Sequence, residues 1–185
     1  MPEDAWTTTP EREQRPPGRL TLTISCYAFF KRINPMDLQR FARQYRNGTA
    51  STLTPIEYAD FGAWLGDSFS QIQPLVQFTP AEVAPDYFMW HWGTFGKLLI
   101  SEAHNWHPIW TRSENVRFRA VHDWHHLNSG KGFDWAGEAS AYRWAAGTAP
   151  ESIKWILRSE ILGQAAYQLT TGHFPQQKLV RNCRG

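Results

Sequence analysis

The residues best suited to chemistry sit in one run, Val121-His122-Asp123-Trp124-His125-His126. On a helix, positions i and i+4 lie one above the other, so His122 and His126 can both reach a single metal ion. The pattern H-D-x-x-H is an acidic analogue of the zinc-protease H-E-x-x-H, and it contains the His-Asp pair used by metal-dependent phosphohydrolases. Downstream, Glu138 follows Gly137 and shares a helical face with Tyr142. Glu160 and Gln164 fall, at about 100° per residue, near the middle of an apolar face set by Ile153, Leu157, Ile161 and Tyr167. A carboxylate buried there needs a metal, a proton or a cation such as Arg143, because desolvating its charge costs several kcal/mol.

These positions predict one inward-facing cluster in which His122, Asp123, Glu138 and Glu160 converge. His122, His126 and Glu138 are the expected metal ligands, with Asp123 and Glu160 as catalytic carboxylates. Mixed imidazole and carboxylate donors suit zinc, manganese or iron, and no Cys lies nearby to make a thiolate site. His91, His104 and His107 are available to complete the set, although a His among aromatics is more often packed and hydrogen-bonded than a ligand. Lys131, in the Gly-rich loop 128–132, is placed to meet an anion, with a solvated loop lysine as the simpler alternative.

Val121-His122-Asp123 with a following His, then Phe133, Gly137-Glu138, Ala141-Tyr142, Ser159-Glu160, Gly163-Gln164 and Gln177-Lys178, resembles a group of uncharacterised proteins of bacteriophages and related mobile elements. The likeness covers about the last 70 residues. It implies that His122, Asp123, Glu138, Glu160 and Gln164 belong to one site, and it implies no particular reaction. The same fragment resembles the second metal motif of HD-domain phosphohydrolases. It departs from them because no Asp occurs after Asp134, so Glu160 would have to replace the final metal Asp. The upstream His of that motif is ambiguous between His91 and His104.

The elements that must position these residues are mostly helices. Asn34-Pro35 opens one that runs to about Arg46, where Asn47-Gly48 stops it, and Thr54-Pro55 opens another that ends before Pro74. Thr79-Pro80 starts a shorter segment, and residues 95–104 read as one further helix. Ser113 and Glu114 supply cap and first turn for a helix over 114–127. Helices over 134–146 and 150–171 follow, all three packed against one another through short loops. Residues 20–27 alternate apolar and polar side chains like a strand, with no convincing partner strand in the sequence. The predicted fold is mainly α, a single-domain helical bundle over 19–185 preceded by a Pro-rich disordered leader over 1–18.

Length and composition agree with one domain. The chain has 185 residues, 42% apolar and only 19% charged, enough to bury a core. Nineteen basic against seventeen acidic side chains give +2, so charge alone does not argue for nucleic acid. Cys26 and Cys183 are too few for a disulfide framework. No signal-peptide pattern and no apolar run of about 18 residues is present, which predicts a cytoplasmic protein without membrane contact, in the host cytoplasm if phage-encoded. Composition is unusual in its ten Trp and seven His, six of them between His91 and His126.

Three functions fit. The first is a metal-dependent hydrolase acting on a phosphate ester or nucleotide, with peptide hydrolysis as the neighbouring option. The second is a carboxylate-bridged di-iron or di-manganese protein, for which Asp123-x-x-His126 supplies only one half-motif. The third is a recognition or structural protein in which Trp90, Trp92, Trp106 and Trp110 stack on a partner, helped by a basic tail of Lys178, Arg181 and Arg184.

Overall fold

The computed structural model describes residues 35–183, so the leader, the strand pattern at 20–27, Cys26 and Arg184 lie outside the described residues. Within it the chain is mainly α. Helix α1 (Pro35–Asn47) and α2 (Pro55–Ile72) start at the two prolines named above. At α2, Thr54 and Glu57 form a reciprocal capping box. Glu57 also accepts from Trp155 Nε1 at 2.9 Å and pairs with Arg181 at 2.6 Å, so this cap ties the start of α2 to Trp155 and to the C-terminal residues.

The middle of the chain departs from the sequence reading. Thr79, where the sequence suggested the start of a shorter segment, ends a short strand β1 (Val76–Thr79), and α3 (Pro85–Phe95) begins later. Residues 95–104 do not form a helix. Gly96 adopts the left-handed conformation at φ 61° and stops α3. The apolar run that follows then enters strand β2 (Leu98–Ser101), which pairs in parallel with β1 in the register Val76 to Leu98 through Thr79 to Ser101. Leu98, Leu99 and Ile100 are all buried, the pattern of a strand covered on both faces, which periodicity cannot distinguish from a buried helix.

Helix α4 (Arg112–Ser129) carries the histidine run, and α5 (Trp135–Thr148) carries Glu138. The N-cap of α4 is Thr111, not Ser113. Its hydroxyl accepts from Glu114 N while Glu114 reaches back to Thr111 N at 2.8 Å. A glutamate three residues after the cap is what selects Thr111, since Ser113 has no such partner. Asp134 caps α5 through Gly137 N.

The expected helix over 150–171 is a composite: a 3₁₀ turn (Glu151–Ile153), α6 (Lys154–Leu157), a π segment (Arg158–Gly163) and α7 (Gln164–Thr171). From Ser159 to Gln164 every residue is buried. A surface helix cannot bury six in succession, so this stretch is enclosed on all sides by α1, α5 and the C-terminal residues. Gly163 permits the approach of α1, because a Cβ there would lie 2.6 Å from Tyr45 Cδ2 and 3.4 Å from Cys183 Sγ. Gly163→Ala is therefore expected to overpack this contact and lower stability by about 1–3 kcal/mol in chemical denaturation. An unchanged denaturation midpoint would show that Tyr45 yields freely.

Candidate metal centre

Helix α4 presents His122 and His126 on the stripe that faces the first turn of α5, where Glu138 points back. His122 Nε2 lies 3.0 Å from Glu138 Oε2 and 3.2 Å from His126 Nε2, and His126 Nε2 lies 3.5 Å from Glu138 Oε1. The two Nε2 atoms thus face different oxygens of one carboxylate, and one ligand atom from each of the three residues lies within 4.8 Å of the other two, close enough for all three to reach a single ion at about 2.0–2.2 Å. This is the one grouping of its kind among the described residues.

The far nitrogens explain why the near ones converge. His126 Nδ1 donates to the Gly132 carbonyl at 2.9 Å, and a carbonyl only accepts, so the proton sits on Nδ1 and the Nε2 lone pair faces inward. His122 Nδ1 lies 3.3 Å from Asp123 Oδ1, which selects the same tautomer. Two imidazole lone pairs and a carboxylate are then directed at one point. Only a cation or a proton reconciles them. Where the proton serves, burial disfavours charge on His122, but Glu138 and Asp123 outweigh it and raise the imidazole to about 10. Burial likewise works against ionised Glu138, yet the two histidines hold it down to about 2.

Local packing fixes the geometry. The His126 side chain is fully buried, with its ring stacked on Phe133 at 4.3 Å. Gly137 lets the Gly132 carbonyl cross the start of α5, since a Cβ at Gly137 would fall 1.6 Å from that oxygen. The Gly137-Glu138 pair thus combines a gap for the carbonyl with a carboxylate that could hold an ion. The His122 and Glu138 side chains are 19% and 10% exposed, so the site opens to solvent on the His122 side.

The other sequence candidates are placed differently. Asp123 Oδ1 lies on the Nδ1 side of His122, away from the convergent Nε2 atoms. Glu160 is buried as expected, but its partners are Gln164, which donates to it at 2.7 Å, and His107, whose Nε2 lies 3.4 Å away. Arg143 reaches Ser140. His107 Nδ1 accepts the backbone N–H groups of Ile109 and Trp110 at 3.2 and 3.1 Å, which leaves its proton on Nε2; that nitrogen faces Glu160 Oε1 without a hydrogen bond and, protonated, is no metal donor. His91 is buried against Phe95 and bonds the Lys97 carbonyl, while His104 is exposed and pairs with Glu82. His125, between His122 and His126 in sequence, is buried. Burial first, then charge on His122 and His126, pushes its imidazole down to about 3.

The features behind the recognition reading are largely spent within the fold. Trp110 is buried and stacked on Phe61, and Trp92 packs edge-on against Trp124, leaving Trp90 and Trp106 exposed. Lys178 donates to the Arg46 and Gly48 carbonyls at the end of α1, and Arg181 lies over the Trp155 ring while pairing with Glu57. Lys131 is exposed. No helix among the described residues is long and apolar enough to cross a membrane. No family model matches the chain, and no curated protein or solved structure matches it significantly.

Proposed function

We propose that the chain is a metal-dependent hydrolase in which His122, His126 and Glu138 hold one divalent transition ion, zinc, manganese or iron, and that it acts on a phosphate ester or nucleotide. The observation that carries this is the convergence of two Nε2 lone pairs and a carboxylate within reach of one ion, with both Nδ1 atoms fixed from behind. Three protein ligands leave a fourth position open, the arrangement of catalytic rather than structural zinc sites. A divalent ion there supplies Lewis acidity and lowers the pKa of water toward about 7.

In this reading the residues of the chain divide the work. Glu138 contributes the negative charge that offsets the ion, and His126 is the rigid anchor because it is fully buried and tethered to Gly132. His122 faces the solvent opening. Asp123 is assigned the orientation of His122, since its carboxylate addresses Nδ1. Glu160, which has no described contact with the three ligands, is left out of the reacting set. A bridged dinuclear centre is disfavoured because no second cluster of ligands accompanies the first among the described residues.

Elemental analysis of the purified protein, followed by hydrolysis assays on p-nitrophenyl phosphate, its bis ester and nucleotides, tests the proposal. One equivalent of zinc, manganese or iron is expected, with turnover that a chelator abolishes and the same ion restores. Absence of stoichiometric metal after reconstitution would overturn the metal assignment. Metal without turnover of any of these esters would overturn the hydrolase assignment.

A further inference from the structure

A groove of about 710 Å³ opens where the first turns of α4 meet the end of α2 and strand β1. It lies apart from the metal ligands: along α4, Arg117 precedes His122 by about 7.5 Å of helical rise and Arg112 by about 15 Å. Both arginines line it, and neither guanidinium forms an ion pair among the described residues. Arg117 Cζ lies 5.4 Å from the centroid of the Phe69 ring, and among carboxylates its charge acts on Glu114, one turn earlier on α4. Arg112 is anchored through its backbone. Asn105 donates to the Arg112 carbonyl at 2.7 Å and is itself held by buried Asn115 at 2.7 Å.

The rest of the wall is of a different kind. Phe69 stacks on Phe78 with ring planes 21° apart, and Phe78, on strand β1, remains 41% exposed. A flat apolar surface therefore adjoins the two cations. Glu102, also on the wall, supplies one carboxylate against the two guanidiniums, which suits a ligand that carries hydrogen-bond donors as well as an anion. The volume falls within the about 300–1,000 Å³ typical of small-molecule sites.

We propose that this groove binds a phosphomonoester carried on a planar ring system, the chemistry of a nucleoside monophosphate. The phosphate engages the N–H edges of Arg112 and Arg117, where charge-assisted hydrogen bonds are strongest, and the ring lies against Phe78. This site does not depend on the metal centre.

Isothermal titration of the full chain with AMP, adenosine and inorganic phosphate tests it. AMP is expected to bind saturably, and adenosine at least tenfold more weakly because it lacks the anion. Arg112→Gln with Arg117→Gln should weaken AMP tenfold or more, with circular dichroism confirming the fold. Phe78→Ala, at an exposed position, should weaken AMP severalfold and leave inorganic phosphate unchanged. With the metal removed by chelator, the parent should keep its AMP affinity, and binding measured in this way is free of any turnover at the metal centre. No saturable AMP binding at millimolar concentration, or binding indifferent to the arginines, would overturn the proposal. Loss of AMP binding on chelation would move the ligand to the metal centre and overturn it equally, and phosphate binding as tightly as AMP would overturn the planar-ring assignment.

Discussion

His126→Ala is expected to lose the metal altogether, with affinity falling more than about a hundredfold, since removing even a group behind a ligand typically costs 10–100-fold. The same substitution should also destabilise the metal-free protein by about 2–5 kcal/mol, because it empties a fully buried site and orphans the Gly132 carbonyl. His122→Ala separates the two effects. The His122 side chain is 19% exposed, so its loss should remove metal with a smaller structural penalty. Urea denaturation of both variants and the parent, with and without added zinc, reads the difference. A bound ion stabilises the folded state by mass action, so the parent should gain stability with zinc while neither variant does. Retention of stoichiometric metal in both variants would sink the ligand assignment. Equal stability of the parent with and without zinc would reduce the trio to a hydrogen-bonded network.

The parts of this site that could be read in the sequence are those set by local geometry. The four-residue spacing of His122 and His126 fixes their shared helical face without any tertiary information. Burial of Glu160 and Gln164 follows from the apolar stripe around them, and both are buried. What spacing could not reveal is where Glu160 points. The π segment shifts the phase of the helix that carries it, and its partner His107 arrives from a loop whose backbone N–H groups choose the tautomer. Nothing in residue order announces that choice. The parallel strands escaped for a related reason. Each has four residues, and their pairing spans the whole of α3, so neither shows the alternation that marks a half-buried strand. Lys178 and Arg181 looked like a solvated basic tail because their partners, the end of α1 and Glu57, are more than 120 residues away in sequence.

Gly137→Ala offers the sharpest test of how the fold builds the centre. In a helix interior this change ordinarily stabilises by up to about 1 kcal/mol, because alanine loses less backbone entropy than glycine. At position 137 the sign should reverse. The added Cβ would lie 1.6 Å from the Gly132 oxygen and 3.3 Å from His126 Nδ1, so the carbonyl must leave the position in which it receives the imidazole proton. The helix cannot simply slide away, since Gly137 N is bonded to Asp134 Oδ1 at 2.8 Å and the next residue, Glu138, meets both His122 and His126. The expected result is a loss of about 1–3 kcal/mol in stability from overpacking. Metal affinity should fall about 10–100-fold, because His126 no longer has its tautomer and ring orientation fixed from behind. Gly147→Ala, on the same helix but with nothing within 4 Å of its Cβ, is the control and should be neutral or mildly stabilising. If both variants bind metal as the parent does, the Gly132 carbonyl is not what aims His126. If only Gly137→Ala weakens binding, the glycine before Glu138 belongs to the metal centre as much as the glutamate does.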